Sequence, residues 1–124
     1  MSQQTLEYKT VKLEEVKQWR EACLINQFPT DGGLCVELDG LQIAIFNFSR
    51  RNEWYATQNL CPHKKQMILS RGMIGSDGNE PKVACPFHKK TFSLQSGANL
   101  NGNECALATY PVKVEEGKVY VGLG

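Results

Sequence analysis

Two short cysteine–histidine segments constrain this chain more than any other feature of its sequence. The first is Cys61-Pro62-His63 and the second is Cys85-Pro86-Phe87-His88, and together they contain both histidines of the protein. Each segment carries a proline, which fixes φ and favours a loop. Two such loops can together offer two thiolates and two imidazoles, which is the ligand set of a metal site.

Two sulfur and two nitrogen ligands fit two kinds of metal centre. One is a tetrahedral zinc ion, and the other is a [2Fe-2S] cluster of Rieske type, in which two histidines replace two cysteines on one iron. Zinc sites typically separate paired ligands by about two to four residues, whereas one residue stands between Cys61 and His63. A binuclear cluster relaxes this demand because neighbouring ligands can bind different irons. The spacing favours the cluster, and zinc or an empty site remain the alternatives.

Histidine ligation would also change the charge of such a cluster. Two ferric ions, two sulfides and two thiolates sum to zero, whereas four thiolates would leave a net negative charge. A neutral centre accepts an electron more easily, in line with potentials of about −150 to +300 mV for Rieske clusters against about −400 mV for plant-type clusters. The site therefore suits a one-electron carrier.

The length and charge of the chain limit its organisation. At 124 residues it is expected to be a single domain over residues 1–124, with its core at about 8–121 and cluster-binding loops at 61–66 and 85–90. The polar start and the lack of an apolar run of about 20 residues favour a cytoplasmic protein with no membrane partner. A net charge of +1, without aromatic residues between the lysines, argues against nucleic-acid binding.

Short apolar stretches between turn signals predict an all-β fold of small antiparallel sheets. Asp39-Gly40 predicts a hairpin between residues 34–38 and 41–48. A second hairpin is expected around Glu115-Glu116-Gly117, near the end of the chain. Gly72, Gly75 and later turn residues instead predict a long connection before the second cysteine.

One segment near the start has a different periodicity. Leu13, Val16, Trp19 and Cys23 recur at three- and four-residue steps among charged residues, which predicts one short amphipathic N-terminal helix. Cys23, Cys35 and Cys105 are interpreted as buried thiols, because a chain without an export signal is expected in a reducing compartment.

The motifs and their surroundings resemble a known family. Cys61-Pro62-His63 and Cys85-Pro86-Phe87-His88 resemble the Rieske ferredoxin superfamily. Residues 42–46, 69–74 and 83–94 narrow the resemblance to the small subunits of the cytoplasmic NAD(P)H-dependent nitrite reductase. The resemblance implies a Rieske-type fold, with Cys61 and Cys85 as thiolate ligands and His63 and His88 as imidazole ligands.

The same resemblance implies a partner. It is a large nitrite reductase subunit carrying FAD, a [4Fe-4S] cluster and sirohaem, where nitrite is reduced to ammonia with electrons from NADH or NADPH. The present chain has no nucleophile–base pair and no dinucleotide fingerprint, so it is not expected to turn over substrate alone. Two other functions stay open, a stand-alone Rieske ferredoxin that delivers electrons to an oxygenase and a structural subunit without a redox role.

Several residues distinguish the chain from the high-potential Rieske proteins of respiratory complexes. Gln66 and Phe87 stand where those proteins have a cysteine pair, and Lys90 replaces a serine that hydrogen-bonds the cluster. Fewer hydrogen bonds to sulfur imply a potential in the lower part of the Rieske range. The lysines that follow the ligands could steer an acidic partner or form a solvated rim; these are Lys64, Lys65, Lys89 and Lys90.

Overall fold

The computed structural model describes residues 9–27, 32–48, 53–61, 66–77, 80–86, 91–98, 100 and 106–124. These residues form twelve β-strands arranged in antiparallel sheets. The helices in the described part of the chain are three-residue 3-10 helices at Leu13–Glu15, Ile25–Gln27 and Leu69–Arg71. None of them is long and apolar enough to cross a membrane. The all-β fold class is confirmed.

The strands follow one another at short intervals along the chain. In order they are β1 (Gln18–Leu24), β2 (Gly33–Leu38), β3 (Leu41–Phe48), β4 (Glu53–Gln58), β5 (Leu60–Cys61), β6 (Gln66–Met67), β7 (Met73–Asp77), β8 (Glu80–Ala84), β9 (Thr91–Ser93), β10 (Thr109–Tyr110), β11 (Val112–Glu115) and β12 (Lys118–Leu123). The sheets have the strand orders β1-β12-β11, β10-β4-β3-β2, β5-β6 and β7-β8-β9.

The sheet that contains β1 packs on the sheet that contains β3. Between them lies a first core, which draws Val119 and Val121 from β12 and Ile43 and Ile45 from β3, each 0% exposed. A sandwich of this kind hides one face of each sheet, and the opposite face of the outer sheet can stay polar. On this outer face, the Lys113 ammonium lies 4.7 Å from the centroid of the Trp19 indole ring.

Strand β3 is buried on both of its faces. Ile43 and Ile45 point into the first core, whereas Ala44, Phe46 and Phe48 belong to a second core on the other side. A strand covered on both sides needs apolar residues at successive positions instead of an alternating pattern. This accounts for the nearly continuous apolar run of β3, and it makes the strand a wall between the two cores.

Both predicted hairpins are confirmed, and their turns explain their sequences. Asp39 and Gly40 have φ of 52° and 86°, and β2 and β3 pair directly on either side of them. Glu116 and Gly117 have φ of 51° and 77° between β11 and β12. Two successive positive φ angles match the twist of a tight hairpin, and this is why glycine follows an acidic residue in both turns.

In place of the predicted N-terminal helix, the structure has a single 3-10 turn. That turn covers Leu13–Glu15, and the segment that includes Trp19 and Cys23 forms strand β1 instead. β1 pairs antiparallel with β12, with an irregular register between Glu21 and Cys23. The extra residue puts Trp19 and Cys23 on opposite faces of the strand. Cys23 lies in the first core, whereas Trp19 contacts Lys113 on the outer face, so their four-residue spacing does not mark one buried face.

The prediction of a long connection around Gly72 and Gly75 is also wrong for most of that segment. β7 pairs with β8 as an antiparallel hairpin, from Met73 opposite Ala84 to Asp77 opposite Glu80. β9 extends this sheet, with Val83 opposite Phe92. The second cysteine motif therefore begins at the end of a three-stranded sheet.

Candidate metal centre

The structure brings the two motif cysteines into the same buried environment. Cys61 is the last residue of β5 and is 0% exposed, and Cys85 follows β8 and is 1% exposed. Both belong to the second core. His63 and His88 lie outside the described residues, as do Lys64, Lys65, Phe87, Lys89 and Lys90.

Apolar side chains surround the cysteines. Leu69, Val83 and Phe92 are each 0% exposed and pack in the second core with them. An apolar shell excludes water from a metal centre and thereby helps to set its potential. Phe92 is thus part of the apolar cover of the two cysteines.

The described half of the predicted ligand set fits an iron–sulfur cluster. Cys61 and Cys85 reach one core from two separate loops, and thiolates in an apolar surrounding are the usual holders of such clusters. Among the described residues, no group of three or more His, Cys, Asp and Glu side chains is placed to hold a metal ion.

Two polar residues before Cys61 brace the base of the first loop, and the sequence reasoning missed both. The side-chain oxygen of Gln58 accepts the Ala108 N–H at 2.9 Å, and its side-chain nitrogen donates to the Leu60 carbonyl at 2.7 Å. Asn59 follows and is only 2% exposed. The polar pair Gln58-Asn59, at the end of β4 and just ahead of a motif cysteine, is the signal that could have revealed this brace.

Gly72 lets the chain pass close to the second cysteine loop. A Cβ atom added to Gly72 would overlap the Ala84 carbonyl oxygen and lie 2.8 Å from Cγ2 of Val83. The φ of Gly72 is −72°, which any residue can adopt, so glycine is required here for space. Ala84 directly precedes Cys85, and this contact therefore sets the position of the second loop.

We expect Gly72→Ala to lower the free energy of unfolding by about 1–3 kcal/mol, because the added methyl forces β8 and the Cys85 loop to move. Urea denaturation followed by circular dichroism measures the change. Gly75→Ala is the matched control, since its Cβ would meet only the Lys82 Cε at 3.7 Å. Equal stabilities for the two variants would contradict the close approach.

The remaining described cysteines differ from one another. Cys23 is a buried thiol in the first core, as expected, but Cys35 is exposed, which corrects its interpretation as a buried residue. Desolvation raises the pKa of Cys23, and the Glu21 carboxylate adds to this effect. The pKa of Cys35 is raised in the same way, by desolvation and then by the Glu37 carboxylate. Both thiols therefore favour the protonated, unreactive form. Cys105 lies outside the described residues.

Comparison with known proteins agrees with this architecture. The family described as "Rieske-like [2Fe-2S] domain" matches residues 18–122. The Escherichia coli (strain K12) nitrite reductase (NADH) small subunit is 30% identical over 104 residues, covering 84% of this chain and 96% of that protein. The present chain thus matches almost the whole length of that small subunit.

Two further relatives extend the comparison. The Klebsiella oxytoca nitrite reductase NAD(P)H large subunit is 39% identical over 106 residues, which cover 86% of this chain but only 11% of that protein. A crystal structure described as an NADH-dependent nitrite reductase small subunit from Mycobacterium tuberculosis superposes with a TM-score of 0.81 at 29% identity, covering 86% of this chain and 96% of that one. The chain belongs to the Rieske-like [2Fe-2S] domain family and is homologous to the small subunits of NAD(P)H-dependent nitrite reductase.

Proposed function

We propose that this chain binds a Rieske-type [2Fe-2S] cluster through Cys61, His63, Cys85 and His88 and serves as an electron-transfer subunit of a nitrite reductase. The observation that carries the proposal is that two cysteines 24 positions apart in the sequence enter one buried core. When bound, the cluster supplies a one-electron carrier. The chain itself supplies ligands, an apolar enclosure and a docking surface, and substrate is reduced elsewhere.

The charge of the proposed ligand set suits the core that receives it. Cys61 and Cys85 are almost fully buried among apolar side chains, where an uncompensated charge is costly. A cluster held by two thiolates and two neutral imidazoles is neutral in its oxidised form, whereas four thiolates would bring net negative charge into the same place. The mixed ligation therefore favours both burial and easy reduction.

Exposed apolar side chains next to both cysteine loops support a contact face. Met67 is 41% exposed and pairs with Leu60, the residue before Cys61. Met73 is 79% exposed and pairs with Ala84, the residue before Cys85. Exposed methionines suit surfaces that bind other proteins.

The partner we propose for this face is the large nitrite reductase subunit, carrying FAD, a [4Fe-4S] cluster and sirohaem. Residues 61–92 hold six basic and two acidic side chains, so a partner surface of complementary charge is acidic. Opposite charges accelerate association and orient the two surfaces. We place the assembly in the cytoplasm, where nitrite would be reduced to ammonia.

Co-expression of the tagged chain with the large subunit tests the proposal. We expect a sirohaem protein to copurify, and the isolated small subunit to contain iron and acid-labile sulfide in equal amounts with a Rieske-type EPR spectrum. Zinc without sulfide would overturn the cluster assignment. A loaded cluster that reduces an oxygenase, with no large subunit retained, would favour the stand-alone ferredoxin instead.

A further inference from the structure

Asn59 is a buried polar residue whose main chain is bonded in two directions. Its N–H donates to the Gln42 carbonyl of β3 at 2.9 Å. Its carbonyl oxygen accepts the N–H groups of Ile68 and Leu69 at 3.0 and 3.1 Å. The main chain of Asn59 therefore joins the large sheet to the segment that follows the first cysteine loop.

The side chain of Asn59 repeats this connection. Its Oδ1 accepts the Ser70 N–H at 2.7 Å, and its Nδ2 donates to Oε1 of Gln42 at 3.3 Å and to Sγ of Cys35 at 3.4 Å. An amide carries an acceptor oxygen and two N–H donors, whereas a carboxylate has no donor and a hydroxyl has only one O–H for the two acceptors present here. Asn59 itself is only 2% exposed, so its own polar atoms depend on these protein partners.

The bonds of Asn59 close the base of the first loop. The loop leaves Asn59 through Leu60 and Cys61, and it returns through the paired strand β6 to Ile68. Since Asn59 holds the residues just beyond β6, both ends of the loop are fixed to one point. The position of the Cys61 sulfur then depends on that point.

A second set of contacts carries this constraint to the other cysteine. Ser70 lies in the 3-10 helix Leu69–Arg71, whose Leu69 is 0% exposed in the same core as Cys61 and Cys85. Gly72 follows the helix and lies directly against the Ala84 carbonyl. One short helix, held by Asn59 at its start and by Gly72 at its end, therefore spans the distance between the two loops.

We propose that Asn59 is a positioning residue that holds Cys61 and Cys85 in the relative positions that a pair of ligands requires. It touches neither the cluster nor a substrate, and it acts through the helix Leu69–Arg71. Its relevance to electron transfer rests on the proposed function, but the positioning itself can be measured without a metal. Loss of the side chain leaves the Ser70 N–H unsatisfied and loosens the connection between the loops.

Cysteine labelling of the full chain after removal of metal provides the first test. We expect Asn59→Ala to speed iodoacetamide labelling of Cys61 and Cys85 by about tenfold, because one buried hydrogen-bonded group is lost. Cys23, in the first core, is the internal reference and should be unchanged. Mass spectrometry of peptides gives each rate separately.

Val119→Ala is the matched control. Val119 is 0% exposed and lies opposite Cys23 in the β1–β12 pair, so this variant should speed labelling of Cys23 more than that of Cys61. If Asn59→Ala sped labelling of all three cysteines equally, or of none, the positioning role would be overturned. Asn59→Ser, whose hydroxyl is too short to reach the Ser70 N–H, replaces the alanine variant if that variant does not fold.

The loaded protein provides a second test. We expect chelator to release iron from Asn59→Ala about tenfold faster than from the wild type, with broadened EPR lines, whereas Val119→Ala should keep the wild-type line shape. Identical release rates and spectra for the two variants would overturn the proposal. A wild-type chain that takes up no iron would refute the proposed function, yet the labelling ratio would still test the role of Asn59.

Discussion

Cys61→Ser is expected to abolish iron and sulfide binding and to reduce nitrite turnover to that of the large subunit alone. Serine is nearly isosteric with cysteine, but a hydroxyl does not replace the soft thiolate that holds an iron–sulfur cluster. Cys61 is fully buried, so replacing the thiol with a more polar hydroxyl is also expected to lower stability. Metal and sulfide analysis, EPR and an NAD(P)H-linked nitrite assay measure these effects.

Cys35→Ser is the matched control for this variant. Cys35 is an exposed thiol outside the second core, and a serine hydroxyl can still accept a hydrogen bond from Nδ2 of Asn59. Its replacement should therefore leave iron, sulfide and turnover near wild-type values. Retention of the large subunit by Cys61→Ser, shown by copurification, separates loss of the cluster from loss of assembly. Full nitrite turnover by an assembled, iron-free Cys61→Ser complex would show that the subunit is structural.

Phe92→Ala is expected to lower the free energy of unfolding by about 3–5 kcal/mol, the usual cost of removing a buried aromatic side chain. Phe92 is 0% exposed and packs in the core that holds Cys61 and Cys85. The cavity would open next to the cysteines and admit water, so iron release should accelerate as well. Urea denaturation and a chelator assay give the two quantities.

Leu13→Ala provides the comparison for Phe92. Leu13 is 69% exposed, and its truncation should change stability by less than about 0.5 kcal/mol. Phe92→Leu keeps most of the apolar volume, and we expect it to fall between the alanine variant and the wild type. A Phe92→Ala protein as stable as Leu13→Ala would mean that the second core is not packed as described.

Local turn chemistry allowed much of the fold to be predicted. Asp39-Gly40 and Glu116-Gly117 require positive φ angles, which few residue types tolerate, so their sequences identify the hairpins directly. The apolar run of β3 likewise follows from burial on two faces. These features depend on residues that are near one another in sequence.

One error arose where a distant partner decides the structure, and the other where glycine and polar residues interrupt a strand. The segment with Trp19 and Cys23 forms a strand because it pairs with β12, about a hundred residues later, and the irregular register hides the alternating pattern of a strand. β7 reads as a loop because Gly75 and polar residues interrupt it, yet its pairing with β8 makes it a strand. β12 is far from β1 in the sequence, but only two residues separate β7 from β8, so the second error was a failure to recognise a local hairpin.

The candidate site was predicted unevenly. The placement of Cys61 and Cys85 in one core agrees with the prediction from their motifs, because metal ligands have a recognisable spacing. Their ligand role, together with His63 and His88, stays a prediction. Asn59 was missed, since asparagine beside a loop is ordinary and its partners Gln42 and Ser70 are identified only by the fold.

Strand β3 is buried on both faces, and this affects how long a bound cluster would survive. Because alternate side chains of this strand line both cores, the sandwich cannot open without withdrawing Phe46 and Ala44 from the cysteine core. Global unfolding therefore exposes both cores together, whereas local opening at the loops can expose the cysteines alone. Dioxygen and water would reach a buried sulfur by either route, so substitutions in the distant sandwich that speed global unfolding are also expected to shorten cluster lifetime in air.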